Sequence, residues 1–502
     1  MVAFSTAHAI FLAKVTLPAL AQQTFFNSWD ATDPPQWTTF PHPIRRVAVI
    51  GAGPTGLQTA AELLEANLTV RLFERAPSPG GNWLYTEETA VRETYPETNS
   101  TGPEWHPHEF PATAYYEEGD DGITLDERWR KHWRPRPAWY QLRTNTPGPL
   151  TRLPGIEHAP DTPWRLSVHD VERNVRAYAS LHGLNSNDRL RSPSGLPVTS
   201  YSTGCLNPVA SNPSGGTEEF DAVVIATSRH NEAKVPDNKG IGNWSAATEN
   251  GRYVMYHSQA FRHAEHYAGK TVLIVGASVS ATQISRLVAP FTNRLLASVR
   301  PNSIRDAYGL DILFSFDEKV EVVPEISSFE PLDGNNVSVK AGKIKLINGV
   351  VLDGIDEIIL ATGYSTNTFL PDLVNPRTLD NLHWTGHYID DPTLVYTHSL
   401  RPWVYGTCCH VFARVFTGKA RLPSRERMRG EYDSGKYQFG TPLDVVLQEA
   451  VRKLYAGWLN SEALELGGQF IESPPIEARE MFTYFVNTHY KKDLVSHDNF
   501  TP

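Results

Sequence analysis

Cysteine is scarce in this sequence. The 502 residues contain three cysteines, Cys205, Cys408 and Cys409, and two of them are adjacent. Adjacent cysteines rarely form a structural disulfide, so the sequence does not predict a disulfide framework. No C-x-x-C motif is present, which excludes the disulfide reductases that work through such a pair of cysteines.

An excess of positive charge is absent as well. The formal net charge is −10 at pH 7, with 46 Lys and Arg against 56 Asp and Glu. Binding to a phosphate backbone needs a basic surface, so we expect no nucleic-acid partner. The histidines do not form a complete metal-binding motif such as H-E-x-x-H, and we expect no metal site.

The sequence also lacks a long apolar run free of interruptions. The N-terminal segment from Ala3 to Ala21 is mostly apolar, but Lys14 and Pro18 interrupt it and no Lys or Arg precedes it. Its end, A-L-A, resembles a signal-peptide cleavage site. Two interpretations stay open: a signal or membrane anchor, and an extension that lies on the domain. We expect a cytoplasmic protein in which this segment alone could associate with a membrane, with an ER-associated or secretory N-terminal segment as the alternative.

The most informative stretch runs from Arg46 to Trp83. An apolar run, Val47 to Ile50, reads as a strand buried on both faces, and the motif G-A-G-P-T-G follows it. Helix-forming residues from Leu57 to Ala66 come next, and a second apolar strand, Val70 to Phe73, ends the unit. This order of strand, G-x-G-x-x-G, helix and strand is the context that a dinucleotide-binding fingerprint requires.

Each part of the fingerprint has a physical purpose. Gly51 allows the tight turn, Gly53 lets the backbone approach a diphosphate, and Gly56 lets the helix pack closely on the strand. The helix N-terminus offers free N–H groups and partial positive charge. Glu74 lies 18 residues after Gly56, where an acid accepts hydrogen bonds from ribose hydroxyls. The alternative is a glycine turn in an ordinary β-α-β unit.

A second unit of the same kind begins at Lys270. The apolar run Lys270 to Val275 precedes G-A-S-V-S-A, in which Ser278 stands at the second glycine position. A helix is predicted over Thr282 to Val288 and a strand over Leu295 to Val299, and Arg300 follows in place of an acid. A cation there favours the 2′-phosphate of NADP over NAD, unless Arg300 is only a solvated surface residue.

Two further apolar strands close these units. They are F-D-A-V-V-I-A-T at 220–227 and I-D-E-I-I-L-A-T-G-Y at 355–364. Their positions predict a smaller dinucleotide-binding domain inserted into a larger one, an α/β fold with two Rossmann-like domains, as expected for a chain too long for one core. The predicted boundaries are 1–43 for the N-terminal extension, 44–235 for the first part of the larger domain with an insertion at about 94–135, 236–362 for the inserted domain, and 363–502 for the second part and C-terminal region.

Six motifs together resemble the flavin-containing monooxygenases, the class B flavoprotein monooxygenases. G-A-G-P-T-G at 51–56 and F-E at 73–74, with G-G-N-W at 80–83, resemble the FAD-binding opening of that family. L-R-T-N-T-P at 142–147 resembles the loop that carries an active-site Asn, and L-A-T-G-Y at 360–364 matches a late motif. The V-G-A-S-V-S-A run at 275–281 stands at the family's NADPH fingerprint.

The resemblance implies FAD and NADPH as cofactors, with O₂ and a small molecule as substrates. It implies a C4a-(hydro)peroxyflavin that transfers one oxygen atom to an amine nitrogen or a thioether sulfur. Asn145 would donate from its amide to the oxygen adduct, unless the side chain only makes a turn bond before Pro147; His257 would be structural. The implied cofactor-binding residues are Gly51, Gly53, Pro54, Thr55, Gly56, Glu74, Arg75, Gly81, Asn82, Trp83, Thr144, Asn145, Gly276, Ser278, Val279, Ser280, Arg300, Thr362 and Gly363.

Two other functions stay open at this point. A Baeyer–Villiger monooxygenase acting on a ketone is one, although Phe261 and Arg262 stand where that group carries Trp followed by Pro or Asp. A catalytically degenerate nucleotide-binding protein is the other, on the grounds that Ser228 and Ser278 replace motif glycines. The substrate and the oligomeric state are not readable from the sequence.

Overall fold

Short apolar strands supply the framework of the structure, a computed structural model. It describes residues 37–74, 76, 78–89, 136–186, 190–191, 209–211, 217–227, 232–300, 316–332, 339–365, 381–397, 409–434, 445–471, 480–481, 484–485 and 488. The N-terminal apolar segment, Arg75, the 94–135 insertion, Ser228 and Cys408 lie outside the described residues.

The strands are β1 (Arg46–Ile50), β2 (Thr69–Phe73), β3 (Leu190–Arg191), β4 (Val209–Ser211), β5 (Thr217–Glu219), β6 (Ala222–Ile225), β7 (Glu232–Ala233), β8 (Thr248–Glu249), β9 (Arg252–Tyr253), β10 (Met255–His257), β11 (Thr271–Val275), β12 (Arg294–Val299), β13 (Val320–Pro324), β14 (Ile326–Phe329), β15 (Ile344–Leu346), β16 (Val351–Leu352), β17 (Glu357–Leu360), β18 (Tyr364–Ser365) and β19 (Leu394–Tyr396). The helices are α1 (Pro54–Glu65), α2 (Val168–Leu181), α3 (Ile241–Ala246), α4 (Val279–Val288), α5 (Cys409–Phe416), α6 (Arg425–Asp433) and α7 (Val445–Leu466). Short 3₁₀ turns occur at Gly81–Trp83, Gly148–Leu150, Ser258–Ala260, Ala264–Tyr267 and Val339–Ala341.

The first sheet has the strand order β19-β6-β1-β2-β3, and all its pairings are parallel. Alternate residues of β1 bury on opposite faces: Val47 and Val49 pack into the core beneath α1, α2 and α5, whereas Ala48 and Ile50 pack on the other side. Burial on both faces explains why these strands read as continuous apolar runs.

The second sheet has the order β10-β17-β11-β12-β13, again fully parallel. Helix α4 covers one face, and the antiparallel sheet β14-β15-β16 covers the other. All five strands lie between β6 and β19 in the chain, so this unit is inserted into the first. The predicted α/β fold class with two Rossmann-like units is therefore confirmed. The domain boundaries remain predictions, and the strands β7 and β18 near them pair with each other.

Element ends differ from the prediction where a glycine turn passes into a helix. Helix α1 begins at Pro54 and not at Leu57, because the extended Gly53 is its N-cap and proline is compatible with the first helical turn. Helix α4 begins at Val279 and not at Thr282, because the extended Ser278 is its N-cap. The run predicted as one strand at 355–364 ends at Leu360, and Gly363 with φ +82° forms the turn that follows.

The start of the described chain pairs with its last third. The backbone N–H of Thr38 donates to the carbonyl oxygen of Leu422 at 2.9 Å, and Trp37 bridges to Pro423 in antiparallel fashion. The long C-terminal helix α7 extends from Val445 to Leu466. In the part of the chain that the structure describes, no helix has the length and apolar character needed to span a membrane.

Candidate cofactor and oxygenation site

The first glycine turn is closed so tightly that side chains are excluded. Gly51 has φ +105°, and a methyl group there would lie 2.8 Å from the carbonyl oxygen of Ala226. A methyl group on Gly56 would lie only 1.8 Å from the carbonyl oxygen of Gly51. Contacts this short with backbone atoms cannot be relieved by a rotamer change, so glycine is required at both positions.

The G-G-N-W motif packs directly against this turn. A methyl group on Gly81 would lie 2.7 Å from the Cα atom of Gly53, and Gly80 donates its N–H to the carbonyl oxygen of Ala52 at 3.0 Å. Gly53 has no side chain with which to cap α1, and no side-chain capping hydrogen bond is found at that end among the described residues. Helix N–H groups beside a side-chain-free surface form a cradle that fits a diphosphate. Pro54 and Thr55 form the first turn of α1, and Asn82 and Trp83 complete the 3₁₀ turn opposite.

Glu74 lies at the end of β2 with its carboxylate buried. One carboxylate oxygen accepts the N–H of Ala52 and the other accepts the N–H of Ala76, both at 2.8 Å. Each oxygen has a second acceptor position. The acid is therefore oriented by the backbone and retains the capacity to accept hydrogen bonds from ribose hydroxyls.

The second glycine turn repeats the geometry of the first. Gly276 has φ +126°, and a methyl group there would lie 2.3 Å from the carbonyl oxygen of Ala361. Its N–H donates to Ser298 of the neighbouring strand at 3.0 Å, as that of Gly51 donates to Phe73 at 2.7 Å. The Ser278 side chain makes no capping hydrogen bond, and Val279 and Ser280 form the first turn of α4.

Arg300 follows β12 immediately and is exposed. It therefore occupies the position in the second unit that Glu74 occupies in the first. Its contact with a 2′-phosphate remains a prediction.

A ladder of threonines holds the loop that carries Asn145. Thr144 donates its hydroxyl to the carbonyl oxygen of Thr146 at 2.8 Å and accepts the N–H of Leu166 at 3.1 Å. Thr146 and Thr151 share a hydroxyl hydrogen bond of 2.8 Å. The half-buried Asn145 amide makes no hydrogen bond with any described residue. The loop is thus fixed while this amide stays available.

The Asn145 loop lies where the two dinucleotide units meet. Gln283, in helix α4 of the second unit, donates its side-chain amide to the carbonyl oxygen of Arg143 at 3.2 Å. Close by, the rings of Trp139 and Phe261 meet edge to face, with 5.9 Å between centroids. The helix that follows the second glycine turn is therefore bonded to the loop that carries Asn145.

The two connections between the units are joined at Gly363. Its carbonyl oxygen accepts the N–H of Lys234 at 3.0 Å and lies 2.8 Å from Nε2 of His257. The Thr362 hydroxyl donates to the carbonyl oxygen of Lys234. Because Nδ1 of His257 accepts the N–H of Gln259 at 3.2 Å, the imidazole carries its proton on Nε2 and is neutral. His257 fixes the linker.

In the part of the chain that the structure covers, no group of three or more His, Cys, Asp or Glu side chains is placed to hold a metal ion.

Comparison with known proteins identifies the family. A family profile for NAD(P)-binding Rossmann-like domains matches residues 49–118. The flavin-containing monooxygenase iboF of Amanita muscaria is 32% identical over 501 residues, which cover 86% of this chain and 91% of that protein. The chain belongs to the flavin-containing monooxygenase family. It is therefore an oxidoreductase, with FAD and NADPH as its cofactors.

More distant relatives of this flavin-containing monooxygenase carry out different oxygenations. The senecionine N-oxygenase of Tyria jacobaeae is 24% identical and covers 76% of this chain and 74% of that protein. The solved structure of an S-allyl-L-cysteine S-oxygenase from Allium sativum has the same fold, with a TM-score of 0.61, 20% identity, and coverage of 90% of this chain and 94% of that one.

Two buried arginines of the monooxygenase were not predicted from its sequence. Arg136 donates to the carbonyl oxygen of Gly81 at 2.6 Å and lies 3.6 Å from the Glu74 carboxylate. Arg262 donates to the carbonyl oxygen of Glu88 at 2.7 Å. Burial lowers the pKa of both guanidinium groups, and the Glu74 carboxylate opposes this shift at Arg136. Each residue bonds to a segment distant in sequence, Gly81 for Arg136 and Glu88 for Arg262, and no local motif encodes such a contact.

Proposed function

We propose that this monooxygenase transfers one oxygen atom from O₂ to a soft nucleophile, an amine nitrogen or a thioether sulfur, of a small organic molecule. NADPH supplies two electrons, one oxygen atom enters the substrate, and the other leaves as water. Relatives named as an N-oxygenase and an S-oxygenase support this substrate class.

The observation that carries the proposal is the bond between Gln283 and the Asn145 loop. This contact joins the nicotinamide-side helix to the loop that holds Asn145. The second unit would present the hydride donor, and the first would present the amide that bonds to the reacting oxygen. Both must act on the same flavin ring, so they must be adjacent. The cofactor itself supplies the oxygen chemistry.

We assign separate tasks to the residues of the chain. Glu74 would bind the ribose of FAD, and the turn formed by Gly53 and Gly81 would let the backbone approach its diphosphate. Arg300 would receive the 2′-phosphate of NADPH. Asn145 would donate a hydrogen bond to the reacting oxygen, with no change in its own charge.

The test compares Asn145→Ala and Asn145→Asp with the parent enzyme. Aspartate has the size of asparagine, but its carboxylate accepts hydrogen bonds only. We expect both variants to bind FAD and to be reduced by NADPH at the parent rate. Product formation from amines and sulfides should fall about 100-fold, since one lost donor at a developing negative charge costs roughly that factor. The consumed oxygen should then appear as hydrogen peroxide.

Asn185→Ala is the matched control, because this asparagine is exposed and bonds only to Ser180 among the described residues. It should leave the ratio of product to NADPH unchanged. Full coupling in both Asn145 variants would contradict the assigned role. Turnover of ketones to esters, with amines and sulfides left untouched, would instead establish the Baeyer–Villiger reaction.

A further inference from the structure

Arg136 lies in the flavin cradle, although the sequence motifs give it no role. Its side chain is only 11% exposed and sits beside the Glu74 carboxylate, which is 5% exposed. One terminal nitrogen donates to the carbonyl oxygen of Gly81 at 2.6 Å, and the other lies 3.6 Å from Glu74. The guanidinium thus touches the G-G turn and approaches the ribose-binding acid at once.

The hydrogen-bond capacity of this guanidinium exceeds what the surrounding protein uses. An arginine has five N–H donors. Among the described residues one donor reaches Gly81, and the ion pair with Glu74 is longer than a normal hydrogen bond. The carboxylate of Glu172 also acts on Arg136 through space, but it faces the N–H of Tyr85 and the side chain of Arg176. A buried cation whose donors are not all used by the described residues, next to a binding cradle, is equipped for an anionic ligand.

The position of Arg136 matches the path of a dinucleotide. The ribose is expected at Glu74 and the diphosphate at the N-terminus of α1, where Gly53 meets Gly81. Arg136 lies between these two points, since it contacts Gly81 on one side and faces Glu74 on the other. A carboxylate and a diphosphate so close together repel each other, and a cation between them removes this cost.

We propose that Arg136 is a flavin-binding residue whose guanidinium contacts the FAD diphosphate and offsets the repulsion between the diphosphate and Glu74. This inference rests on the proposed function, in which the first unit binds FAD at Glu74 and the turn formed by Gly53 and Gly81. It differs from a purely structural role, in which Arg136 would only pair with Glu74 and hold the chain that enters the cradle.

The experiment measures the affinity of the FAD-free full-length protein for FAD by quenching of flavin fluorescence. Arg136→Met should weaken FAD binding about 10- to 100-fold, the range of one or two charge-assisted hydrogen bonds. Arg136→Lys should recover part of the loss, because it keeps the charge but not the planar fork. Arg152→Met is the control: Arg152 is exposed and pairs with exposed Glu157, so FAD affinity should not change.

A double-mutant cycle with Glu74→Gln separates the two roles. If Arg136 contacts the diphosphate, Arg136→Met weakens FAD binding again by about 10-fold in the Glu74→Gln background. If Arg136 acts only through Glu74, the second substitution has no further effect, and the proposal is wrong. Unchanged FAD affinity of Arg136→Met in the parent background would overturn it as well, whether or not the FAD-free variant melts at a lower temperature. A parent protein that binds no FAD would instead refute the proposed function.

Discussion

Replacing Arg262 by methionine tests whether a buried guanidinium fixes the two dinucleotide units relative to each other. Arg262 is 8% exposed. It donates to the carbonyl oxygens of Gln259 and Phe261 at 2.8 and 2.7 Å, within the second unit. On the side of the first unit it donates to Glu88 at 2.7 Å and to Arg136 at 3.4 Å. All four partners are backbone carbonyls, so the arginine joins main-chain segments directly.

The expected loss of stability follows from these four bonds. A hydrogen bond from a charged donor contributes about 1.5–3 kcal/mol, and three of the four are short. Methionine fills similar space and removes the cost of burying the charge, which offsets part of the loss. We expect a net destabilisation of about 3 kcal/mol. With an unfolding entropy of about 2 cal/mol/K per residue, this lowers the melting temperature of a chain of this length by about 3 °C.

The functional consequence should appear at one step only. Arg262 reaches the flavin cradle only through the main-chain carbonyl of Arg136, at 3.4 Å, so Arg262→Met should bind FAD about as the parent does. With the units less firmly joined, the nicotinamide should be held less well over the flavin. Anaerobic reduction by NADPH should therefore slow by about 10-fold or more in a stopped-flow measurement, since small misplacements are costly for hydride transfer. Arg294→Met removes an exposed arginine paired with Glu321 and should change neither quantity. An unchanged melting temperature together with an unchanged reduction rate would refute the role given to Arg262.

Two further predictions concern a buried carboxylate and the second glycine turn. Burial raises the pKa of Glu357, but hydrogen bonds from His266 and Lys270 outweigh this effect and hold the pKa below its usual value. The ionised acid therefore stabilises the fold above about pH 4.3, and this contribution is lost as the pH falls through the lowered pKa. Glu357→Gln should cost about 2 kcal/mol at pH 7 and much less at a pH below the lowered pKa in thermal melts, and an equal cost at both pH values would contradict this. Gly276→Ala places a methyl group 2.3 Å from a backbone oxygen at φ +126° and should abolish reduction by NADPH while FAD stays bound. The control is Gly349→Ala, at φ +86° with open space around it, which should cost only about 1 kcal/mol of stability. Equal effects of the two substitutions would argue against the steric explanation.

The glycine turns and strands were predictable because their causes are local. Gly51 and Gly276 follow apolar strands, and each needs a left-handed backbone that its own neighbours impose. The Asn145 loop was found through its motif, yet the threonine hydrogen bonds that hold it were not anticipated. Arg136 and Arg262 were not predicted because each also bonds to a backbone carbonyl of a distant segment, Gly81 and Glu88 respectively, and no spacing rule encodes such contacts.

The two dinucleotide units share one backbone geometry but differ at the positions that set how tightly a ligand is held. Both turns close against a neighbouring carbonyl in the same way. In the first unit the cradle is lined by Gly53 and Gly81, and a buried acid and arginine stand beside it.

The second unit has Ser278 at the corresponding turn position and an exposed Arg300 at the end of its strand. When a ligand leaves, buried polar groups lose more hydrogen-bonding free energy than exposed ones do, because water replaces the ligand only at the exposed site. The first unit is therefore suited to retain its cofactor through many turnovers, and the second to exchange its cofactor in each one. A flavin enzyme that is reduced by a diffusible nicotinamide requires these two different modes of cofactor binding.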